Sequence, residues 1–259
     1  MQLEVNGALC VFTAREGDGP FGGNLGRHVH DDPDAVGKRR RALSERLGAP
    51  VVWMDQTHSA RIALVNEEDS ADIPRLAADE WGPLDVDGVI TDAPGAAVMT
   101  ADCIPLLLIS GDGALVAAVH VGRAGLEQRI HANAIREMAR IGADPSTTVA
   151  LIGPAVCGRC YEVPAEMQSA VAATHPAART TTRWGTPGLD ITAALAEDLH
   201  ALGVEDVRST GICTMEDERY NSYRRDPRCG RQAGVVVPSG HWRLAGDAAA
   251  DDPSPWHNV

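Results

Sequence analysis

The chain reads as an α+β fold, a layered sandwich of mixed β-sheets with flanking helices, and two observations predict it. Short apolar runs outnumber helical patterns and arrive in groups, with helices only occasionally between them. That order suits segregated layers better than the regular alternation of a doubly wound fold. The composition is 44% hydrophobic but only 4% aromatic, so the layers must meet through an aliphatic core. No repeat or low-complexity linker divides the chain. Residues 1–242 are therefore read as one domain, and the Ala-, Asp- and Pro-rich residues 243–259 as a flexible tail.

The elements follow in order. Leu9-Cys10-Val11-Phe12 is a first strand, and Glu16 to Asn24 is a glycine-rich loop lacking the GxxxxGK[ST] spacing of a phosphate cradle. A polar, basic helix is predicted over 34–47 and stopped by Gly48. Its Lys38-Arg39-Arg40-Arg41 quartet is expected on a solvated face. Val51–Met54 is a short buried strand that delivers Gln56 and His58, and residues 66–84 read as an acidic, irregular surface excursion. Asp87-Gly88 opens a strand over 89–92, and two apolar strands, 96–99 and 104–109, flank Asp102 and Cys103. The Gly111-Asp112-Gly113 turn sends the chain back through a strand over 115–119. Leu126, Ile130, Ala134, Met138 and Ile141 then recur at helical spacing, predicting one amphipathic helix over 125–141. A strand over 149–152, a short helix after Pro164, a helix over 190–202 capped by Asp190, and a late strand over 207–213 complete the pattern.

Charge and targeting signals exclude several classes. The net charge of −13, with no basic block beyond 38–41, argues against a nucleic-acid partner. No apolar run approaches the ~18 residues of a spanning helix, so no membrane partner is expected. The first residues lack a basic segment followed by an apolar one, which reads as cytoplasmic. Six scattered cysteines do not look like a disulfide framework. Cys157-Gly158-Arg159-Cys160 is a lone CxxC with no second ligand pair at zinc-ribbon spacing, so it is not expected to bind metal.

Three potential ligands stand at the ends of apolar runs: His58, Cys103 and His120. A thiolate and two imidazoles fill three positions of a tetrahedral zinc site and leave the fourth for water or substrate. Cys103 opens one predicted strand and His120 closes the next, so an antiparallel hairpin would bring them together. Arg224, Arg225 and Arg231 form a second constellation, able to clamp a phosphate or carboxylate or to serve as a surface ion-pair loop. Arg123 could join either group.

Many ordered motifs carry a resemblance. They run from Asn24-Leu25-Gly26 through Gln56-Thr57-His58, Asp87-Gly88-Val89-Ile90-Thr91, Thr100-Ala101-Asp102-Cys103-Ile104-Pro105 and His120-Val121-Gly122. They continue through Ile152-Gly153-Pro154, Tyr161-Glu162-Val163 and Cys213-Thr214 to Ser222-Tyr223-Arg224-Arg225-Asp226 and Gly230-Arg231. Together they resemble the YfiH-type family, also described as polyphenol oxidase or laccase-domain proteins. The resemblance implies a CNF/YfiH-like layered fold. It also implies phosphorolysis of adenosine, inosine and methylthioadenosine, deamination of adenosine, and a zinc cofactor, with copper as the alternative metal. It places His58, Cys103 and His120 as catalytic and metal-binding residues. Arg231, Arg224, Arg225, Gln56, Asp102 and Asn24 are the expected contacts to nucleoside and phosphate. Peptidoglycan-precursor editing by a metal-independent Cys–His hydrolase and copper-dependent polyphenol oxidation are the alternatives. Two imidazoles and one thiolate are too few for several copper centres. One departure stands out: where the family has Gly-Trp-Arg-Gly after its second histidine, this chain has Gly122-Arg123-Ala124-Gly125. Oligomeric state is left open.

Overall fold

The computed structural model describes residues 1–66, 73–77, 80–245 and 256–259. The chain begins with β1 (Gln2–Val5), β2 (Ala8–Phe12), α1 (Pro33–Leu47), β3 (Val51–Met54) and β4 (Ile62–Val65). Next come β5 (Arg75–Ala77), β6 (Glu80–Leu84), β7 (Gly88–Thr91), β8 (Gly95–Thr100), β9 (Ile104–Ile109) and β10 (Val116–Val121). Helices α2 (Arg123–Glu127) and α3 (Ile130–Arg140) precede β11 (Val149–Ile152), and α4 (Ala165–Thr174) precedes the β12 (Arg179–Thr181) and β13 (Pro187–Leu189) ribbon. The chain ends with α5 (Ile191–Ala201), β14 (Asp206–Ser209), β15 (Gln232–Val237) and β16 (His257–Asn258).

Two seven-stranded mixed sheets result, ordered β1-β2-β15-β8-β3-β6-β5 and β16-β14-β11-β9-β10-β7-β4. Their strands read as unbroken apolar runs because both faces are covered. In β9, Ile104, Leu106 and Leu108 face a core shared with Leu126, Ile130 and Met138 of the helical layer and with Leu195 and Leu199 of α5. Leu107 and Ile109 point the other way, into the layer between the sheets with Phe12, Val98 and Val236. The strand period of two assigns these alternate faces. On the outer side of the first sheet, Leu9, Trp53, Ala97 and Val235 pack with Leu47 of α1. The layers are thus helix, sheet, sheet, helices, as the sequence predicts. Among the described residues, no helix is long and apolar enough to cross a membrane.

Local chemistry explains the boundaries. Asp32 caps α1 by accepting from the Asp34 amide, Pro33 occupies the first turn, and Gly48 ends the helix at φ 66°. The single helix expected over 125–141 is two, because Arg129 adopts φ 57° and turns the chain between them. Leu126 and Ile130 enter the same core across this break, so the apolar spacing survives it. Within the excursion expected over 66–84, β5 and β6 are strands of the first sheet, and β6 pairs parallel with β3. Gly82 and Pro83 hid that strand in the sequence; residues 67–72 and 78–79 lie outside the described set. The last described residues of the stretch read as a tail are placed against the fold. His257 pairs with Ser209 in an edge strand, and Trp256 meets Phe12 at 5.9 Å between rings. Residues 246–255 lie outside the described set.

The basic quartet of α1 is not uniformly solvated. Arg40 is only 3% exposed; it pairs with Glu80 at 2.6 Å, donates to the Leu25 carbonyl and lies 3.9 Å over Trp53. Glu80 also pairs with Arg27 at 2.8 Å. Glu80→Ala is expected to cost about 3–5 kcal/mol, because it strands a buried guanidinium. Urea unfolding of the two chains measures this. A loss below ~1 kcal/mol would mean that Leu25 and Trp53 suffice to hold Arg40.

Candidate active site

His58, Cys103 and His120 converge although 45 residues separate the first two and 17 the last two. The β9–β10 register pairs His120 with Pro105 and Val121 with Ile104, which brings the imidazole beside the residue preceding β9. His58 arrives on the loop after β3. One nitrogen of each histidine and the Cys103 sulfur lie within 4.8 Å of one another. Cys103 Sγ is 3.9 Å from His58 Nε2, and the two imidazole rings meet edge-on at 4.7 Å. The backbone is bent to do this: His58 takes φ 62° and Asp102 φ 92°, left-handed values rarely adopted outside glycine. Gly122 belongs to the same device. A Cβ there would lie 2.9 Å from Cys103 Sγ and 3.2 Å from the His58 ring.

Asp87 organises the centre and was given no site role from the sequence, where Asp87-Gly88 is read as the opening of a strand. Its carboxylate is fully buried. It accepts from the backbone amides of Thr57, His58 and Ser59, from the Ser59 hydroxyl at 2.7 Å, and pairs with His120 Nδ1 at 2.8 Å. Burial alone would raise its pKa. His120 and the Ser59 donors outweigh burial and hold it well below the ordinary carboxylate range. With Nδ1 engaged by a carboxylate, His120 presents Nε2 to the centre, the usual orientation of a metal-ligating histidine.

The thiol and imidazole bias each other. Burial pushes the Cys103 thiol up, but His120 and His58 draw it down to about 6. Burial pushes His120 down, but Cys103 and Asp87 bring it up to about 9. Without metal, therefore, each group favours the charged form of the other, a thiolate beside an imidazolium. The donor set fits zinc: two imidazoles, one readily ionised thiol, and an outer carboxylate orienting one ligand.

The ligands line a cleft of about 420 Å³, within the usual size of a small-molecule pocket. The expected contact residues divide. Arg224 and Arg231 line the cleft, together with Arg123, Tyr161, Tyr223 and His28. Arg224 lies 4.8 Å over Tyr161 and donates to the Glu162 carbonyl; Arg231 lies 5.9 Å over Tyr223. Arg123, which stands where the family has tryptophan, pairs with Glu127. Gln56 lines the cleft, but its amide is locked in two 2.8 Å hydrogen bonds to the Met99 backbone. Asp102 also lines it, with its carboxylate accepting from Thr214 Oγ1 and the Arg224 amide.

Two expected contacts are not cleft residues. Arg225 turns its guanidinium onto the carbonyls of Thr214, Met215, Asp217 and Tyr220 and so ties a loop together. Asn24 is fully buried, and its Oδ1 accepts from the Arg231 amide. It positions Arg231 from behind. Spacing counted arginines but could not say which way each faces. His28 drew no attention in sequence because a single His carries no pattern, and Tyr161 entered only within the Tyr161-Glu162-Val163 motif, without a role of its own.

Comparison with known proteins places these residues in a family. The sequence model described as "multi-copper polyphenol oxidoreductase laccase" matches residues 9–239. A purine nucleoside phosphorylase of Streptomyces coelicolor is 46% identical over 244 residues, 90% of this chain and 96% of that protein. One from Pseudomonas aeruginosa is 36% identical over 88% of this chain and 91% of its own. The crystal structure of a Neisseria meningitidis protein superposes with a TM-score of 0.80 at 29% identity, covering 93% of this chain and 99% of that one. The crystal structure of YlmD from Geobacillus stearothermophilus gives 0.79 at 30% identity, over 90% and 92%. The chain thus belongs to the multi-copper polyphenol oxidoreductase laccase family, whose YfiH-type members its motifs resemble.

Proposed function

We propose that the chain is a zinc-dependent purine nucleoside phosphorylase acting on adenosine, inosine and methylthioadenosine, with adenosine deaminase activity at the same site. One observation carries this beyond the names of the relatives: the His58–Cys103–His120 set shares a cleft with three arginines and two tyrosines. His58, Cys103 and His120 would hold the metal. Bound there, zinc supplies a Lewis acid and acidifies water. Tyr161 and Tyr223 offer aromatic faces to a purine. Arg224 and Arg231 offer charge to phosphate. In phosphorolysis a phosphate oxygen bonds to C1′ while the C1′–N9 bond breaks, and the base leaves with the electron pair and gains a proton. In deamination water adds at C6 and ammonia leaves.

Chromatography of adenosine incubated with phosphate, scoring adenine, inosine and hypoxanthine, tests the reading. Adenine formed only with phosphate, together with inosine formed without it, is expected. Neither product would overturn it. Replacing Arg231 by Ala should raise the phosphate requirement by ~10–100-fold, the worth of one charged hydrogen bond. Deamination, which uses water, should change far less. Equal losses in both reactions would make Arg231 a structural residue.

A second reading has its own observation. Cys103, His120 and Asp87 are a thiol, an imidazole and a carboxylate in series, with the thiol drawn down to about 6. That is the constellation of a Cys–His hydrolase, for which an amide of a peptidoglycan precursor would be a substrate. Chelation separates the two readings: it should abolish nucleoside turnover and leave thiol-dependent hydrolysis intact.

A further inference from the structure

The pairing of Cys157 with Cys160 is not isolated in space. The chain from 155 to 161 lies beside the chain from 212 to 217. Ala155 bridges to Cys213 in parallel, its amide donating to the Ile212 carbonyl and its carbonyl accepting from the Thr214 amide. Each segment then folds into the same turn. The amides of Cys160 and Tyr161 both donate to the Cys157 carbonyl, at 2.9 and 3.0 Å. The amides of Glu216 and Asp217 both donate to the Cys213 carbonyl, at 3.1 and 2.9 Å. Cys157-x-x-Cys160 and Cys213-x-x-Glu216 are therefore two matching turns that face each other. Each delivers a donor at its first and fourth residue, as the paired turns of structural zinc sites do. The sequence concealed this because the second turn ends in Glu216 and stands more than fifty residues away.

We propose that Cys157, Cys160, Cys213 and Glu216 form a second metal site, separate from the active-site cluster and suited to zinc. The four donor atoms already lie within 4.8 Å of one another. A tetrahedron with ~2.3 Å zinc–sulfur bonds has edges of about 3.8 Å, so only small movements close the site. Cys160 Sγ stands 3.4 Å from Glu216 Oε1. The Cys213 sulfur accepts from the Cys157 amide at 3.4 Å, the kind of donor that stabilises a thiolate held by metal. All three cysteines are free rather than bridged. Cys160 and Cys213 are buried, while Glu216 stands at the rim, where Arg183 pairs with it at 3.0 Å. Three thiolates and a carboxylate favour a borderline-soft ion and leave no open position for chemistry.

The site's role follows from what the two turns carry. Tyr161 leaves the first turn directly into the cleft. Thr214, within the second, donates to Asp102 beside Cys103, and the Thr214 and Met215 carbonyls accept from Arg225. A metal here would fasten the aromatic and arginine wall of the cleft from behind without touching substrate.

Metal analysis of purified chains tests this independently of the proposed reaction. Zinc is measured in the wild type, in a His58→Ala/Cys103→Ala chain, and in that chain with Cys213→Ser added. The double variant should keep one zinc per chain, and the triple variant should lose it. Cobalt loaded into the double variant should show thiolate-to-metal charge transfer with the intensity of three thiolates. A folded double variant that holds no zinc would overturn the proposal, whatever the fate of the Cys213→Ser chain. So would a Cys157–Cys160 disulfide in the purified wild type by mass spectrometry under non-reducing conditions. Loss of nucleoside turnover without change in this zinc count would concern the active site alone.

Discussion

Cys103→Ala should reduce nucleoside turnover by at least ~10²–10³-fold, the loss typical of deleting one electrostatic stabiliser from an active site, and leave the fold intact. The thiolate is the only anionic donor among His58, Cys103 and His120. Without it, two neutral imidazoles remain, a poor match for a divalent ion in a half-buried cleft. The variant removes little packing, because Cys103 is half-buried and stands before β9 rather than within the core of that strand. Thermal unfolding near that of the wild type, with turnover lost, is the expected pair of results. Near wild-type phosphorolysis would remove Cys103 from both roles assigned to it. Serine adds a discrimination: it retains a weakly acidic oxygen in place of sulfur, so neither metal binding nor nucleophilic attack should be restored.

What made the site legible was its placement on strands. The apolar-run and turn signals of β9 and β10 are strong, and an antiparallel register follows almost automatically from the Gly111-Asp112-Gly113 turn. The sequence alone therefore pairs Cys103 with His120. His58 needed more, because β3 and β10 belong to different sheets. Only the packing of one sheet on the other carries its loop to the hairpin. The same limit explains Cys213 and Glu216, which reach Cys157 and Cys160 through a parallel bridge that no local pattern encodes. Arginine orientation was hidden for a different reason. Arg225 and Arg224 are neighbours, yet one satisfies four carbonyls and the other lines the cleft. Backbone direction in a loop decides this, and residue type does not. The layered fold was easier: runs such as 104–109 are apolar at every position, which only a strand covered on both faces tolerates.

Asp87→Asn should be the most damaging change outside the ligands themselves. Every group facing the Asp87 carboxylate is a donor. Oδ1 takes the His58 amide and His120 Nδ1; Oδ2 takes the Thr57 amide and both the amide and the hydroxyl of Ser59. An asparagine can present an oxygen to only one of these sets, and its NH₂ must then face donors on the other side. If the amide nitrogen turns toward His120, the imidazole must present Nδ1 as an acceptor and place its proton on Nε2, where a metal would bind. If it turns toward Ser59, the loop that delivers His58 loses its anchor. Either way the ligand set is spoiled without a ligand being touched. Losing such an outer carboxylate typically costs ~10–100-fold in metal affinity. A buried group left unpaired costs ~1–3 kcal/mol of stability as well. Chelator-competition titration of zinc, alongside turnover at saturating zinc, separates the two effects. Weaker binding with turnover partly recovered in excess zinc is the expected result and would make Asp87 a positioning residue. Unchanged zinc affinity with turnover abolished would instead give Asp87 a part in the nucleoside reaction itself, as the group that keeps His120 in its working tautomer.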